Sequence, residues 1–431
     1  MQKSRDRLEA ILSRLEERAA DERVFSTIYF EEARAQADAS DARIAQGKAL
    51  GPLDGCIISI KDLFDVAGEP TLAGSAIHRC AQPASRDAII IERLREAGAV
   101  IIGKTHMTEF AFTAVGLNPH YGVPGNAADP ARIPGGSSSG AAVSVAEGTS
   151  EIAIGSDTGG SVRIPAALNG VAGFKPTARR IPLEGAFPLA PSLDSAGPLA
   201  KTVRECILAD AAMAGEPLVL PEPISLAGRK IGVPEGMLLA DMEAPVAKAF
   251  AAAKDRLAAA GAQFVTIELD DLILQLRAAT RIGSIAGIEA SRVHADSWLG
   301  DPAANVDFRV KTTLSKRIKV SDAAYGELMR TREKLVQQVD GRLRDVDFFI
   351  APTTPLLAAP IASVDEDEAE YDRVETLLLR NTQIGNQFDL CSISLPMPDM
   401  ALPAGLMLTA RSGTDRHLLA LALSVEKLLQ G

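Results

Sequence analysis

The sequence predicts an α/β fold, a single α/β/α domain around one large mixed, mainly parallel β-sheet with N-terminal helices packed outside it. Three observations carry that expectation. Short apolar or strand-patterned runs recur at residues 56–60, 99–102, 151–155, 230–233, 263–269 and 347–351. Helix-patterned stretches at 87–97, 140–147 and 243–260 alternate with them, and such alternation covers both faces of a mostly parallel sheet. No low-complexity linker and no repeat of fixed period divides the 431 residues.

In chain order, the first element is an amphipathic helix. Leu8, Ile11, Leu12 and Leu15 recur at three- and four-residue spacing among charged residues, so one apolar stripe must pack on something. A second helix over residues 30–45 ends at Gly47, a residue suited to a left-handed cap, and a turn-rich Gly51-Pro-Leu-Asp-Gly55 follows. The run 56–60 is apolar enough to be buried on both faces, and it delivers Lys61 and Asp62 at its C-terminal end. Gly98 stops the helix at 87–97, and residues 99–102 form the next buried strand. Residues 270–345 read as mainly helical, with an exposed, charge-rich portion around 301–322. The triple-proline stretch 217–223 is the best boundary candidate, yet strand and helix patterns resume directly after it. One domain over 1–431 is therefore expected, with N-terminal helices (about 3–46), a core (about 50–215) and a C-terminal α/β part (about 229–431).

Composition excludes several function classes. Hydrophobic content of 47 % with 23 % charged residues is that of a soluble globular protein, and no run reaches the roughly 18 apolar residues of a membrane span. Net charge is 45 − 56 = −11 with no basic block, so the electrostatic footprint for nucleic acid is missing. Four scattered cysteines without a C-x-x-C pair or a leader point to free thiols in a reducing compartment, hence to the cytoplasm.

Two formal motif matches fail on context. Gly98-Ala-Val-Ile-Ile-Gly103-Lys104-Thr105 fits the phosphate-loop pattern, but its four intervening residues are the strand itself, where a phosphate loop must follow one. Gly136-Ser-Ser138-Ser-Gly140 fits the nucleophile elbow centred on Ser138, but no strand precedes it and only His294 and His417 lie downstream, neither in a catalytic setting. The five histidines are scattered without metal-ligand spacing, and His106 and His120 read as polar loop residues.

Chemistry concentrates between Gly135 and Ser161. Two glycine clusters rich in hydroxyls, 135–140 and 155–161, supply main-chain N–H groups and serine oxygens at both ends of one helix–strand unit. A base is still needed. Lys61 can supply it if burial keeps its amine neutral, with Ser137 and Ser161 as available hydroxyls; the competing reading makes Lys61 an ordinary strand-end lysine paired with Asp62 or Asp65.

Lys61-Asp-Leu, Gly135-Gly-Ser-Ser-Ser-Gly140, Gly155-Ser-Asp-Thr-Gly-Gly-Ser161-Val-Arg-Ile-Pro-Ala166 and Gly173-Phe-Lys-Pro-Thr177 together resemble the amidase signature family. Further segments at 71–75, 103–110, 192–199, 347–355 and 402–406 extend the likeness across nearly the whole chain. Two positions depart from the commonest pattern, Ser139 where glycine is frequent and His106 where Asn is frequent.

The resemblance implies a Ser–Ser–Lys triad: Ser161 as acylated nucleophile, Ser137 as bridging serine after a cis Gly136–Ser137 peptide bond, and Lys61 as base. It also implies an oxyanion hole of backbone N–H groups at Thr158, Gly159, Gly160 and Ser161. Arg163 is expected to pair with Asp157, Asp194 or both to brace the nucleophile loop, with Ser138 and Ser139 hydrogen-bonding the same loops and Ser144 and Ser156 as support or bystanders. The implied activity is hydrolysis of a carboxamide or related C–N bond in a small-molecule amide, through an acyl enzyme, with no metal or cofactor. A homodimer is a family-level expectation. The substrate pocket is expected from residues 105–125, 180–192 and 270–345. Three alternatives stay open: the glutaminase component of a tRNA-dependent amidotransferase, which passes ammonia to a partner chain, a serine esterase using Ser138, and a non-catalytic scaffold of the same fold.

Overall fold

In the computed structural model, which describes residues 2–430, the strand-like runs join one eleven-stranded sheet. Its strands are β1 (Phe25–Ile28), β2 (Ile57–Lys61), β3 (Val100–Thr105), β4 (Ile152–Ser156), β5 (Ala172–Lys175), β6 (Ala196–Ala200), β7 (Lys230–Pro234), β8 (Gln263–Ile267), β9 (Phe348–Pro352), β10 (Cys391–Pro396) and β11 (Gly405–Ala410). They lie side by side in the order β1-β3-β2-β4-β6-β5-β10-β11-β9-β7-β8. The helices are α1 (Ser4–Glu17), α2 (Phe30–Ala45), α3 (Ile89–Glu96), α4 (Ser139–Glu147), α5 (Arg163–Asn169), α6 (Val203–Ala214), α7 (Ala244–Ala259), α8 (Asp270–Ala279), α9 (Ile285–Val293), α10 (Phe308–Arg317), α11 (Asp322–Arg342), α12 (Ile361–Glu366), α13 (Glu368–Gln387) and α14 (Asp415–Gln430). None of the described helices is long and apolar enough to cross a membrane.

The sheet is mixed, as expected, but the expectation of mainly parallel pairing is corrected. Parallel neighbours are β3–β2, β2–β4, β9–β7 and β7–β8, and the other six pairings are antiparallel. The reason lies in the centre. β10 and β11 form a hairpin, and β6 runs against both β4 and β5, which needs no crossover helix.

Period-two alternation explains why both faces are dry. Along β2 and β3, Ile57, Val100 and Ile102 enter a cluster with Leu8, Leu12 and Leu15, whereas Ile58, Ile60 and Ile101 enter the larger core on the other side. The α1 stripe is therefore buried as its spacing requires. Each side chain taken out of water there contributes about 1.5–3 kcal/mol. The chain ends helix α2 at Gly47 (φ +69°), the left-handed cap expected of it. Residues 301–322 are mostly exposed around α10, which buries Val310 and Leu314. All four cysteines are unpaired.

Candidate active site

Lys61 is the last residue of β2, fully buried with the strand. β2 pairs with β4 in parallel, Ile60 opposite Ile154, so the ends of both strands arrive together at the N-terminus of α4. There the Lys61 Nζ lies 2.7 Å from the Ser137 Oγ and 2.9 Å from the Ser156 Oγ. Asp62 instead meets Lys104 at 3.4 Å, so the ordinary pairing of Lys61 with its neighbours is not what the fold makes. Burial lowers the Lys61 ammonium from its ordinary value to about 7, against the opposing pull of the Asp157 and Asp194 carboxylates. Ser137 follows Gly136 through a cis peptide bond, as expected.

The loop from Asp157 to Ser161 follows β4 and runs into α5. Asp157 and Arg163 are both fully buried and paired, Nη2 to Oδ1 at 2.8 Å and Nε to Oδ2 at 3.0 Å. Burial opposes ionisation of Asp157, yet the guanidinium overrides it and holds the carboxyl down at about 2. Asp157 also accepts from the N–H groups of Val162 and Arg163, closing the loop onto the helix it starts.

Asp194 does not pair with Arg163. It accepts from the Thr158 hydroxyl at 2.5 Å and from the N–H groups of Leu189 and Ala190, both at 3.0 Å. Burial raises its carboxyl. Asp157 thus braces one side of the loop and Asp194 the other. Among the described residues, no protein acceptor takes the N–H groups of Thr158, Gly159, Gly160 or Ser161. Gly160 sits at φ +142°, and a Cβ there would stand 2.2 Å from the Thr382 Oγ1, so the loop tolerates no side chain at that point.

Ser138 donates from its Oγ to the Ser156 carbonyl and from its N–H to the Ser161 carbonyl, and Ser139 donates to the His106 carbonyl. Ser138 is fully buried, and Gly135 follows irregular chain where an elbow needs a strand. His106 and His120 lie in loops as expected, but both are shielded: burial lowers His106 to about 4, and the His120 Nε2 lies 3.0 Å from Glu109. Ser144 bonds Ser59 and Ser150 away from the loop.

Several contributors escape sequence reasoning. Ser156, expected as support or bystander, touches Lys61 directly. Helix α13 supplies the Thr382 hydroxyl to the Gly159 carbonyl at 2.7 Å, the Thr382 carbonyl to Arg163 at 2.7 Å, and Asn386 to both Asp157 and Arg163. The one available signal is polar Asn381, Thr382 and Asn386 on the face that α13 buries among apolar residues.

Ser161 opens on a cleft of about 760 Å³, with Thr158 and Gly159 beside it. Its other walls come from residues 111–114, Leu189, Leu193, the start of α9 at 284–286, and the α13 face bearing Glu375, Leu379, Gln383 and Gln387. Three regions expected to build the pocket thus do so, and α13 is the wall that the sequence does not announce. A second, apolar cavity of about 620 Å³ lies under Ser156 and Thr158, lined by Leu63, Phe64, Phe187 and Leu189 among others.

The site thus brings together a glycine-rich loop with four N–H groups free of protein acceptors, a serine facing a cleft, and a buried lysine at the end of β2. The family model for amidases matches residues 6–419. The chain belongs to the amidase family. Among relatives of this amidase is the 2-amino-5-chloromuconic acid deaminase of Comamonas testosteroni, 36 % identical over 410 residues that cover 92 % of this chain and 86 % of that one. The A-type component of the glutamyl-tRNA(Gln) amidotransferase of Acidothermus cellulolyticus is 32 % identical over 430 residues, covering 90 % and 84 %. A crystal structure of an amidase superposes with a TM-score of 0.88 at 32 % identity, covering 99 % of this chain and 96 % of that one. This amidase is an enzyme that hydrolyses C–N amide bonds.

Proposed function

We propose that the amidase works through an acyl enzyme on Ser161, with Ser137 as proton relay and Lys61 as base. The observation that carries this reading is the 2.7 Å contact between the fully buried Lys61 Nζ and the Ser137 Oγ, with the next residue, Ser138, donating its N–H to the carbonyl of Ser161, which faces the cleft. A neutral amine there accepts the Ser137 proton while Ser137 takes the proton of Ser161, whose oxygen attacks the amide carbonyl. The N–H groups of Thr158, Gly159, Gly160 and Ser161 receive the oxyanion. Proton return along the same relay releases ammonia or an amine, and water then cleaves the ester by the reverse sequence. Arg163 and Asp157 hold the loop in shape, and Asp194 fixes the Thr158 hydroxyl; none of the three handles substrate.

The test is ammonia release across aliphatic, aromatic, dicarboxylic and ureido amides. Ser161→Ala is expected to lose at least about 10³-fold in turnover, and a fluorophosphonate is expected to label Ser161 in the unaltered protein. Full turnover by Ser161→Ala defeats the assignment. A second reading, delivery of ammonia to a partner as the glutaminase of an amidotransferase, draws on the likeness to the Acidothermus protein. Amide turnover by the purified, partner-free chain counts against it.

A further inference from the structure

We propose that Glu375 sets the substrate class of this amidase: short amides carrying an ammonium or another N–H donor at the end remote from the scissile bond, in preference to amides ending in a carboxylate. The inference rests on the reading that Ser161 is the nucleophile, because it concerns the cleft that Ser161 faces. Glu375, Leu379, Gln383 and Gln387 stand four residues apart on α13, so a single helix face lines that cleft. Among the described residues, Glu375 is the one ionisable group along its wall. The rest is apolar or neutral, with no lysine or arginine to receive a carboxylate, and a carboxylate buried without a partner is strongly disfavoured.

The Glu375 carboxylate is also held in place. Its oxygens accept from the Ala114 N–H at 2.9 and 3.0 Å and from the Val115 N–H at 3.1 Å. Two backbone donors fix its orientation, and a carboxylate with about four lone-pair sites keeps capacity for a donor arriving from the cleft. The surroundings have the same sign. Phe112, Thr113 and Glu375 are shared with an outer cleft of about 1030 Å³, where Asp365, Glu366, Glu368 and Asp372 face Arg309 and Lys316. Of those two cations, Arg309 is already engaged by Asp307 at 3.6 Å and Asp365 at 3.3 Å. Burial pushes the Glu375 carboxyl up to about 7; its two backbone donors and Arg309 work against that, and Asp372 works with it. The residues of loop 111–115 that pack on it bring no titratable side chain.

The experiment is equilibrium binding to the Ser161→Ala protein at pH 8, measured by calorimetry without turnover. The ligands are ω-amino amides of three to five carbons, the alkanamides that match them in length, and the matching ω-carboxy amides such as succinamate. The best amino amide is expected to bind about tenfold tighter than its alkyl match, and the carboxy amide more weakly than either. Adding Glu375→Gln, which keeps an acceptor for Ala114 and Val115 but no charge, is expected to bring the amino-to-alkyl ratio close to one. Carboxy amides binding as well as amino amides, a ratio that survives Glu375→Gln, or binding by no member of the series each overturns the proposal. The ratios without the glutamine substitution decide the matter alone if that variant does not fold. Failure of the Ser161 reading shows separately, as ammonia release by Ser161→Ala.

Discussion

A lysine enclosed at the end of a buried strand is costly to keep charged, and that cost suits Lys61 to the proposed role of base. With its ammonium brought down to about 7 by burial, Lys61 is largely neutral in mildly alkaline solution, whereas an ordinary lysine titrates near 10.5. The sign follows directly. A base must be unprotonated, so kcat/KM on a neutral amide should climb with pH through about 7, where it reaches half its plateau, and level off above that. A profile that climbs only toward 10 would remove Lys61 from the role. Lys61→Ala should cost about 10²- to 10⁴-fold in kcat. Lys61 is legible in the sequence because it ends an apolar strand, and Ser137 and Ser161 because they stand in clusters of glycine and hydroxyl residues. Ser156 stands in one of the same clusters and is not singled out by it, because its contact with Lys61 depends on β4 lying beside β2 with Ile154 opposite Ile60. Register between strands of distant sequence is not written in either strand.

At the scale of elements, the residues that imitate a phosphate loop show what their glycines are for. Gly98 closes α3 in a left-handed turn, and Gly103 lies inside β3 where β1 crosses it, so that a Cβ on Gly103 would stand 2.2 Å from the Thr27 carbonyl oxygen. Lys104, whose counterpart would reach a phosphate in such a loop, is buried against Asp62 and the Pro70 carbonyl. Gly103→Ala should therefore displace the edge strand and destabilise the protein by about 1–3 kcal/mol. Gly300→Ala, with open space around the position, should stay within about 0.5 kcal/mol. Urea unfolding midpoints measure both, and equal midpoints for the two variants would refute the steric account. Elements with long apolar or strictly periodic patterns, such as α1 and β2, can be read in advance. β6 cannot, because Gly197 and Pro198 inside a five-residue strand look like breakers until β4 and β5 pair on either side of it. Helix α13 escapes for the related reason that its buried Thr382 and Asn386 answer partners more than 200 residues away, Gly159 and Asp157.

For the whole molecule, the question is whether the proline-rich stretch at 217–223 divides anything. Strands β1 to β6 precede it and β7 to β11 follow it, yet the sheet continues through the seam where β10 pairs with β5, Ile393 opposite Phe174. The loop from Asp157 to Ser161 meets the same seam, since Thr382 and Asn386 from the later half hold Gly159, Asp157 and Arg163 of the earlier one. Neither half can keep the site without the other, so we propose that the chain unfolds as one cooperative unit. Two probes on opposite sides of the seam test this. Fluorophosphonate labelling, expected at Ser161, reports on the earlier half. The fluorescence of Trp298, the only tryptophan, reports on the later half, although its ring also stacks at 5.6 Å on Phe110 of the earlier one. Labelling and fluorescence should be lost at the same urea concentration, because pulling α13 away strips the buried Arg163–Asp157 pair of the Thr382 carbonyl and the Asn386 side chain, and a buried polar group left without its partner costs about 1–3 kcal/mol. Labelling that disappears well before the Trp298 signal changes would mean that the two halves separate first, and that the seam between β5 and β10 is a true domain boundary.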